Sequence, residues 1–242
     1  LYGACSTSGE ALALASMSAA AGYGGTMIAV TSSHFGSAEK EFRFPLGYAN
    51  QRPLSSHWTV TGSGAFLVQS AEEYRKQNTK SYFSNIRITG VTVGKIVDYG
   101  LKDSQNMGAC MAPAAMDTIV QNFQDMERKE KDYDRIITGD LGSIGRTILF
   151  DLIREKGYDI CEKHMDCGMT IFDKERQDTH AGGSGCGCAA VTLASYVLPK
   201  LEKGEWKRVL FVPTGALMST VSFNEGASVP GIAHGIVLES DA

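Results

Sequence analysis

Residues 182–215 read GGSGCGCAAVTLASYVLPKLEKGEWKRVLFVPTG, and residues 3–33 read GACSTSGEALALASMSAAAGYGGTMIAVTSS. Each stretch is a loop of small residues, followed by an Ala/Leu/Ser-rich helix and then a short apolar strand. When the LAS tripeptide of one stretch is set on that of the other, Cys5 lies opposite Ser184. The chain therefore contains one supersecondary unit twice.

Each copy also closes with a second strand, because AFLVQS at 65–70 matches GIVLES at 235–240. A self-match at so long a period indicates a duplicated half of a fold, since solenoid repeats run to roughly 20–50 residues. The second copy is preceded by a full run of predicted strands and helices, whereas four residues precede Cys5. Either the two halves are unequal, or about 95 residues of the first half are absent from the front of this chain.

The composition is that of an ordinary globular protein, with 242 residues of which 43% are hydrophobic and 21% charged. A net charge of −4 gives no electrostatic reason to expect nucleic-acid binding. No stretch reaches the roughly 18 apolar residues of a membrane span, and the first residues lack the charged-then-apolar order of a signal peptide. We therefore expect any membrane attachment to be peripheral and made through partners.

Six cysteines are spread too widely for the disulfide framework of a small secreted domain, which favours a reducing compartment. Some of them suggest a second interpretation, a zinc site, because their residue types and spacings come close to those of zinc ligands. The residues concerned are Cys161, His164, Cys167, His180, Cys186 and Cys188. Against zinc, Cys186 and Cys188 begin an apolar helix, where small buried cysteines pack like alanine. Cys110, which is not among these residues, is expected to be buried.

The hydrophobic pattern predicts strands and helices in alternation, which indicates a mixed α/β sheet covered on both faces. Residues 1–85 form a partial N-terminal half and residues 86–242 a complete C-terminal half. In the first half we predict a helix at 5–21, strands at 26–32 and 57–70, a long connection at 33–53 and a linker at 71–85. In the second half we predict strands at 86–99, 135–138, 169–172, 209–212 and 232–239, and helices at 113–130, 143–156 and 186–203.

Cys5 is the strongest candidate for chemistry, because it lies where a short strand end at 1–4 meets a helix N-terminus. The unpaired N–H groups and the helix dipole favour a thiolate there, which lowers the thiol pKa and makes the sulfur a better nucleophile. The alternative is a small apolar residue that fills a tight turn.

The loop opposite Cys5 reads HAGGS at 180–184, and it combines a titratable histidine with glycines that open a helix. Such a loop presents backbone N–H groups to an anion. The turn after the strand at 135–138 points Asp140 toward the same edge of the sheet, where ligands bind in α/β folds. The predicted ligand-binding residues are Cys5, Asp140, His180, Gly182, Gly183 and Ser184.

These features resemble the thiolase superfamily, in which a nucleophilic Cys begins the third helix of the first half, as Cys5 does here. A His or Asn comes from the loop that opens the corresponding helix of the second half, where thiolases carry GHPxGASG against THAGGSG at 179–185. The resemblance implies an α/β thiolase-like fold, a duplicated five-layer αβαβα sandwich that here lacks the front of its N-terminal half. It also implies a homodimer.

Two departures from the superfamily pattern predict that the chemistry is lost. Gly139 stands at the strand end that supplies a catalytic His or Asn in the superfamily. The loop in which thiolases place a second catalytic Cys reads PTGA at 213–216, without a cysteine. General bases and oxyanion donors each contribute orders of magnitude to rate. We therefore expect a binding protein in which Cys5 is a relic nucleophile, with no cofactor and no metal.

Within the superfamily, HFGSAEKEFRFPLGYANQRP at 34–53 and ITGDLGSIGR at 137–146 resemble a family of sporulation proteins of spore-forming bacteria. That resemblance implies binding of dipicolinic acid (pyridine-2,6-dicarboxylate), free or as its calcium chelate, during uptake in sporulation and release in germination. It also implies association with the other proteins of a spore channel assembly, peripherally at the spore inner membrane after cytoplasmic synthesis. Phe35, Phe42 and Phe44 are predicted to cover the ligand ring, with Asp140 beside the calcium ion.

Two other functions stay open at this point. The first is an enzyme, either an acyltransferase or a condensing enzyme, that uses Cys5 and His180 on acyl-CoA or acyl-carrier substrates. The second is a zinc-stabilised interaction module without a small ligand.

Overall fold

The computed structural model describes residues 1–42, 45–48, 51–77 and 85–241. The first part of the chain contains helices α1 (Thr7–Ala20), α2 (Phe35–Phe42) and α3 (Ala71–Gln77) and strands β1 (Thr26–Ser33), β2 (Trp58–Thr59) and β3 (Gly62–Gln69). Short 3-10 turns lie at Ala4–Ser6 and Leu46–Tyr48.

From residue 86 onward, strands and helices alternate as predicted. In chain order the elements are β4 (Ile86–Thr92), α4 (Met107–Asp125), β5 (Arg135–Thr138), α5 (Gly142–Glu155), β6 (His164–Asp166), α6 (Cys167–Thr170), β7 (Gly183–Ser184), α7 (Cys186–Thr192), α8 (Leu198–Glu202), β8 (Arg208–Val212), β9 (Thr214–Ala216), α9 (Thr220–Asn224), β10 (Gly231–Ala233) and β11 (Gly235–Ser240). A π-helical turn at Leu193–Val197 joins α7 to α8, so the helix predicted at 186–203 is continuous. A 3-10 turn at Glu130–Asp132 precedes β5.

Five of these strands form one mixed sheet in the order β4-β11-β8-β5-β6. β5 pairs in parallel with β6 and β8, and β11 pairs antiparallel with β8 and β4. In the first copy, β1 and β3 pair antiparallel over eight residues without a break in register. The order of helix, strand and antiparallel strand thus occurs twice, as α1-β1-β3 and as α7-β8-β11.

The core lies on both faces of the five-stranded sheet, because successive side chains of a strand point to opposite faces. Leu210 and Val212 of β8 lie in one hydrophobic cluster with residues of α4 and α5. Val209 and Phe211 lie in a second cluster with residues of α1 and α7. Beyond α1 and α7 comes the β1–β3 pair. The described residues therefore form four layers, and the predicted mixed α/β architecture is confirmed.

The short apolar strand predicted at 26–32 is not fully buried, because β1 alternates between exposed and buried residues. Its outward face, together with that of β3, exposes Ile28, Val30 and Leu67. The fifth layer of the predicted sandwich, helices against this outward face, is not found among the described residues.

The GSG sequence at 62–64 interrupts the apolar pattern of the predicted strand, which is typical of a bulge or of a close approach of two backbones, and the close approach is what the structure shows. β3 keeps its register with β1 through this sequence. A Cβ atom at Gly64 would lie 2.7 Å from the Cβ of Ala190 on α7. Gly64 therefore lets the strand pair pack against the helix.

Several boundaries differ from the prediction for local physical reasons. Residues 1–4 do not form a strand, because the Gly3 N–H and C=O bond to the side chains of Thr7 and Ser6 instead of a neighbouring strand. α4 begins at Met107 and not at Pro113, because the Asn106 side chain caps it by accepting from the Ala109 N–H.

The predicted strand at 169–172 is also wrong. Asp166 caps a short helix there by accepting from the Met169 N–H, and the edge strand is β6. The final strand is divided into β10 and β11 on either side of His234. Part of the predicted linker is helix α3, and part of the long connection is α2, which begins directly after His34.

Candidate functional site

Cys5 lies in a tight 3-10 turn that leads into α1. The Ser6 hydroxyl donates to the Gly3 carbonyl at 2.6 Å, and the Thr7 hydroxyl donates to the Ala4 carbonyl at 2.7 Å. Ala4 has a φ of 49°, the left-handed region in which a residue with a Cβ is strained. The turn therefore holds Cys5 in a strained, closely hydrogen-bonded backbone.

The partner of the Cys5 thiol is Asp140, which follows β5 and is 1% exposed. Asp140 Oδ2 accepts from the Gly185 N–H at 2.9 Å, and Oδ1 accepts from the Thr214 hydroxyl at 3.0 Å. The Cys5 thiol donates to the same carboxylate. Burial raises the pKa of Asp140 to about 6, although these three donors oppose the rise. Asp140 is therefore the centre of a buried network that joins both copies of the repeat.

The Cys5 thiol is not activated, contrary to the prediction from its place at a helix N-terminus. Burial raises its pKa well above the ordinary value, and the negative charge and hydrogen bond of Asp140 raise it further. The Gly185 N–H acts in the opposite direction and does not overcome them. The reason is that desolvation and a nearby like charge both disfavour the thiolate. Cys5 is therefore a neutral hydrogen-bond donor.

Three more cysteines surround this network. Cys167 and Cys188 are fully buried, and burial is the main reason that the pKa of each thiol lies well above its ordinary value. Cys186 is half-buried, and its thiol donates to the Ser32 carbonyl at 3.1 Å. Burial and the charge of Asp140 raise the pKa of this thiol as well.

The structure directs the His180 ring away from Cys5. His180 Nδ1 is 2.9 Å from the Pro53 carbonyl oxygen, and Nε2 is 3.0 Å from a carboxylate oxygen of Asp178. Its φ of 49° places this residue in the left-handed region as well. In the part of the chain that the structure describes, the imidazole thus bonds to Pro53 and Asp178 and not to the Cys5–Asp140 network.

The glycine loop before α7 uses most of its backbone groups internally. The Gly182 N–H donates to the Thr179 carbonyl at 2.9 Å, and Gly183 and Ser184 pair in parallel with β2. The Gly185 N–H does donate to an anion, which is the carboxylate of Asp140. The predicted anion-binding loop therefore binds a carboxylate of its own chain. Asp140 is enclosed with both oxygens hydrogen-bonded, and the structure gives a calcium chelate no access to it.

Sequence reasoning missed an aromatic cluster that adjoins His180. Phe35 stacks on Trp58 with ring centroids 4.7 Å apart and an interplanar angle of 9°. The Arg52 guanidinium lies 4.2 Å from the Trp58 ring centroid, and its side chain, which is 1% exposed, pairs with Asp178. Of the three predicted ring-covering residues, Phe44 and the Phe42 side chain lie outside the described residues. The signal available in sequence was Trp58, one of only two tryptophans.

The space where the superfamily resemblance places a catalytic side chain is closed. A Cβ atom at Gly139 would lie 3.0 Å from both Pro213 Cα and the Thr214 nitrogen. A larger side chain at this strand end would therefore require the backbone after β8 to move.

The zinc-ligand residue types do not converge. Arg154 Nη2 donates to the Cys161 sulfur at 2.9 Å, and His164 Nε2 bonds to the Thr138 hydroxyl. Among the described residues, no three His, Cys, Asp or Glu side chains are arranged to hold a metal ion. Among the same residues, no helix has the length and apolar character to cross a membrane.

Comparisons with known proteins identify relatives of the whole chain. A family described as Stage V sporulation protein AD (SpoVAD) matches residues 1–239. The Stage V sporulation protein AD of Bacillus subtilis (strain 168) is 43% identical over 239 residues, which are 99% of this chain and 67% of that protein. This chain thus spans about two thirds of the length of that relative.

Solved structures of condensing enzymes share the fold. The tetronic acid condensing enzyme AbyA1 has a TM-score of 0.57 at 12% identity, over 99% of this chain and 67% of its own. The 3-oxoacyl-acyl-carrier-protein synthase III of Aquifex aeolicus VF5 has a TM-score of 0.53 at 11% identity, over 98% and 65%. At such identities the likeness concerns the fold alone, and it confirms the predicted thiolase-like class.

Proposed function

This chain belongs to the Stage V sporulation protein AD family, and from that membership we propose that it is a ligand-binding protein of sporulation which does not perform thiolase chemistry. The proposed ligand is dipicolinate, which the resemblance of 34–53 and 137–146 to a sporulation family implies. We further propose a homodimer that associates with the other proteins of a spore channel assembly, peripherally at the spore inner membrane.

The observation that carries the non-catalytic part of this proposal is the hydrogen bond from the Cys5 thiol to Asp140. A nucleophilic cysteine needs a base to take its proton. The carboxyl of Asp140 has a pKa of about 6, whereas the pKa of the Cys5 thiol lies well above its ordinary value. Proton transfer from this thiol to this carboxylate is therefore strongly uphill.

The ligand part of the proposal rests on the surroundings of His180. Dipicolinate is a planar ring with two carboxylates, so a receptor needs cationic or N–H donors beside a flat apolar surface. In this proposal Phe35 provides the flat surface, and its position is fixed because it stacks on Trp58, whose ring also carries Arg52. His180 and Arg52 both contact Asp178, which is mostly exposed. In this proposal a carboxylate of the ligand replaces Asp178 as the partner of His180.

The Cys5–Asp140 network has a supporting role in this arrangement. Through the Gly185 N–H it fixes the end of the loop that begins at His180 and pairs with β2 at Gly183 and Ser184. We propose that Cys5, Asp140 and the Gly182–Ser184 loop hold the binding surface in place, and that His180 makes the direct contact.

Calorimetric titration with dipicolinate and with pyridine-2-carboxylate tests this proposal. His180→Ala should weaken dipicolinate binding by about 1.5–3 kcal/mol, the usual range for a lost hydrogen bond to a charged group. Arg176→Ala is the control, because Arg176 is an exposed cation near His180 in sequence and pairs with Asp173. Cys5→Ala tests the supporting network. Unchanged affinity in both His180→Ala and Cys5→Ala would show that this region is not the ligand site.

Incubation with an acyl-CoA followed by intact-mass measurement tests the alternative enzyme function. We expect no adduct. A stable acyl adduct on Cys5 would contradict the non-catalytic proposal and support an acyltransferase.

A further inference from the structure

A cavity of about 380 Å³ lies along the edge strand β6. Its walls include Arg135, Arg146, His164, Tyr196 and Trp206. Its volume falls within the range of about 300–1,000 Å³ that is usual for small-molecule sites. None of the residues proposed above to contact or support dipicolinate lines this cavity.

Two guanidinium groups give this cavity a positive charge. The Arg146 guanidinium packs 5.7 Å from the Phe150 ring centroid, and its Nε is buried without a hydrogen-bond partner among the described residues. The Arg135 guanidinium lies 5.5 Å from the Trp206 ring centroid. Stacking on aromatic rings holds such groups as planar forks, which suit bidentate binding of a carboxylate.

His164 adds a buried hydrogen-bond acceptor. The Thr138 hydroxyl donates to Asp166 Oδ2 at 2.6 Å, so at 2.9 Å it accepts from His164 Nε2–H. The other nitrogen, Nδ1, then carries a lone pair, and it is buried without a partner among the described residues. Burial, and secondarily the charge of Arg146, lower the pKa of His164 to about 3, so the ring stays neutral.

The one carboxylate on the cavity wall, Asp166, is already bound by its own chain. Its oxygens accept from the Thr138 hydroxyl and from the N–H groups of Leu141, Gly142 and Met169. These four donors compensate its charge locally, whereas neither guanidinium group has a carboxylate partner in the cavity among the residues that the structure describes. The cavity therefore favours an anion.

We propose that this cavity binds a small aromatic carboxylate that carries a hydroxyl group. The carboxylate is bound by Arg146 and Arg135, and the hydroxyl donates to His164 Nδ1. The ring lies beside Trp206 and Tyr196, which pack edge to face at 5.9 Å. This site is separate from the proposed dipicolinate surface, and the proposal does not rest on it.

Calorimetry on the full chain tests the proposal with three probes, 4-hydroxybenzoate, benzoate and inorganic phosphate. We expect 4-hydroxybenzoate to bind, benzoate to bind about tenfold more weakly because the buried acceptor stays unpaired, and phosphate to bind more weakly still. Arg146→Gln should weaken 4-hydroxybenzoate binding about ten- to hundredfold, the effect of losing a charge-assisted hydrogen bond. Arg154→Gln, on the exposed side of the same helix, is the matched control and should change affinity less than twofold.

Three results would overturn the proposal: no binding of 4-hydroxybenzoate, phosphate binding as tight as that of 4-hydroxybenzoate, or an equal loss in Arg154→Gln. Should circular dichroism show that Arg146→Gln is unfolded, Arg135→Gln takes its place with the same expected loss. Dipicolinate titration of the folded variant separates the two sites. The affinity of that arginine variant for dipicolinate should match the affinity of the wild type. Conversely, His180→Ala should leave 4-hydroxybenzoate binding unchanged.

Discussion

Replacement of Asp140 by asparagine should change how the stability of this protein depends on pH. The carboxyl has a pKa of about 6 in the folded chain and about 3.9 when unfolded, so the folded state binds its proton more tightly. The stabilisation from this proton is fully present below about pH 4 and is lost as the pH rises through 6. With about 1.4 kcal/mol for each unit of pKa difference, the loss is about 3 kcal/mol.

Urea unfolding followed by circular dichroism between pH 4.5 and 7.5 measures this effect. The Asp140→Asn variant has no carboxyl at this position to titrate. The unfolding free energy of the wild type minus that of the variant should therefore fall by most of that loss of about 3 kcal/mol as the pH rises from 4.5 to 7.5. Asp166 is buried nearby, and burial raises its pKa as well. Because Asp166 is present in both proteins, its contribution largely cancels in the difference between their unfolding free energies. Asp151→Asn, which removes an exposed carboxyl on α5, provides the control. A difference that stays constant within about 0.5 kcal/mol would refute the assignment of a raised pKa to Asp140.

Two further predictions concern packing and buried polar groups. Gly64→Ala should cost about 1–3 kcal/mol of unfolding free energy, because the new methyl group would overlap Ala190. Gly47→Ala serves as the control, because a methyl group there meets open space. Equal urea midpoints for the two variants would contradict this prediction. Asn122→Ala should lower the unfolding free energy by about 2–4 kcal/mol, because the buried Tyr133 hydroxyl loses the amide oxygen to which it donates at 2.6 Å. A thermal midpoint within about a degree of the wild type would contradict this and show that water replaces the amide.

The sequence predicted most of the strands and the long helices because those depend on local pattern, and it predicted the thiolase-like class through the repeat and the resemblance. β5 at Arg135–Thr138 has the predicted boundaries, and α5 is displaced by one residue at each end. The start of α4 was missed because a proline was taken as its first turn, whereas the capping residue Asn106 lies seven residues earlier. The missed edge strand β6 is only three residues long, and nothing in so short a pattern separates it from the helix that follows.

The sequence predicted that three parts of the candidate site lie together, but it did not predict their charge states. Cys5, Asp140 and the loop before α7 do meet, and their meeting follows from the duplicated topology. Which of them is charged depends on burial and on distances across the fold, and the sequence pattern contains neither. The hydrogen bond between His180 and the Pro53 carbonyl depends on one loop conformation, which the sequence pattern does not predict either.

The Asp140 carboxylate disfavours a thiolate at Cys5, although Cys5 lies beside a helix N-terminus. The Gly185 N–H, at the start of α7, can stabilise one negative charge, and Asp140 already accepts from it at 2.9 Å. A thiolate at Cys5 would place a second charge within hydrogen-bond distance of the first, a repulsion of about 4 kcal/mol at 4 Å with an effective dielectric constant near 20. That energy lowers the thiolate population about a thousandfold, before the further loss from burial. Asp140→Asn should therefore make Cys5 react faster with iodoacetamide at pH 8 while Cys161, outside the network, keeps its rate. An unchanged Cys5 rate would mean that burial alone, and not Asp140, keeps this thiol neutral.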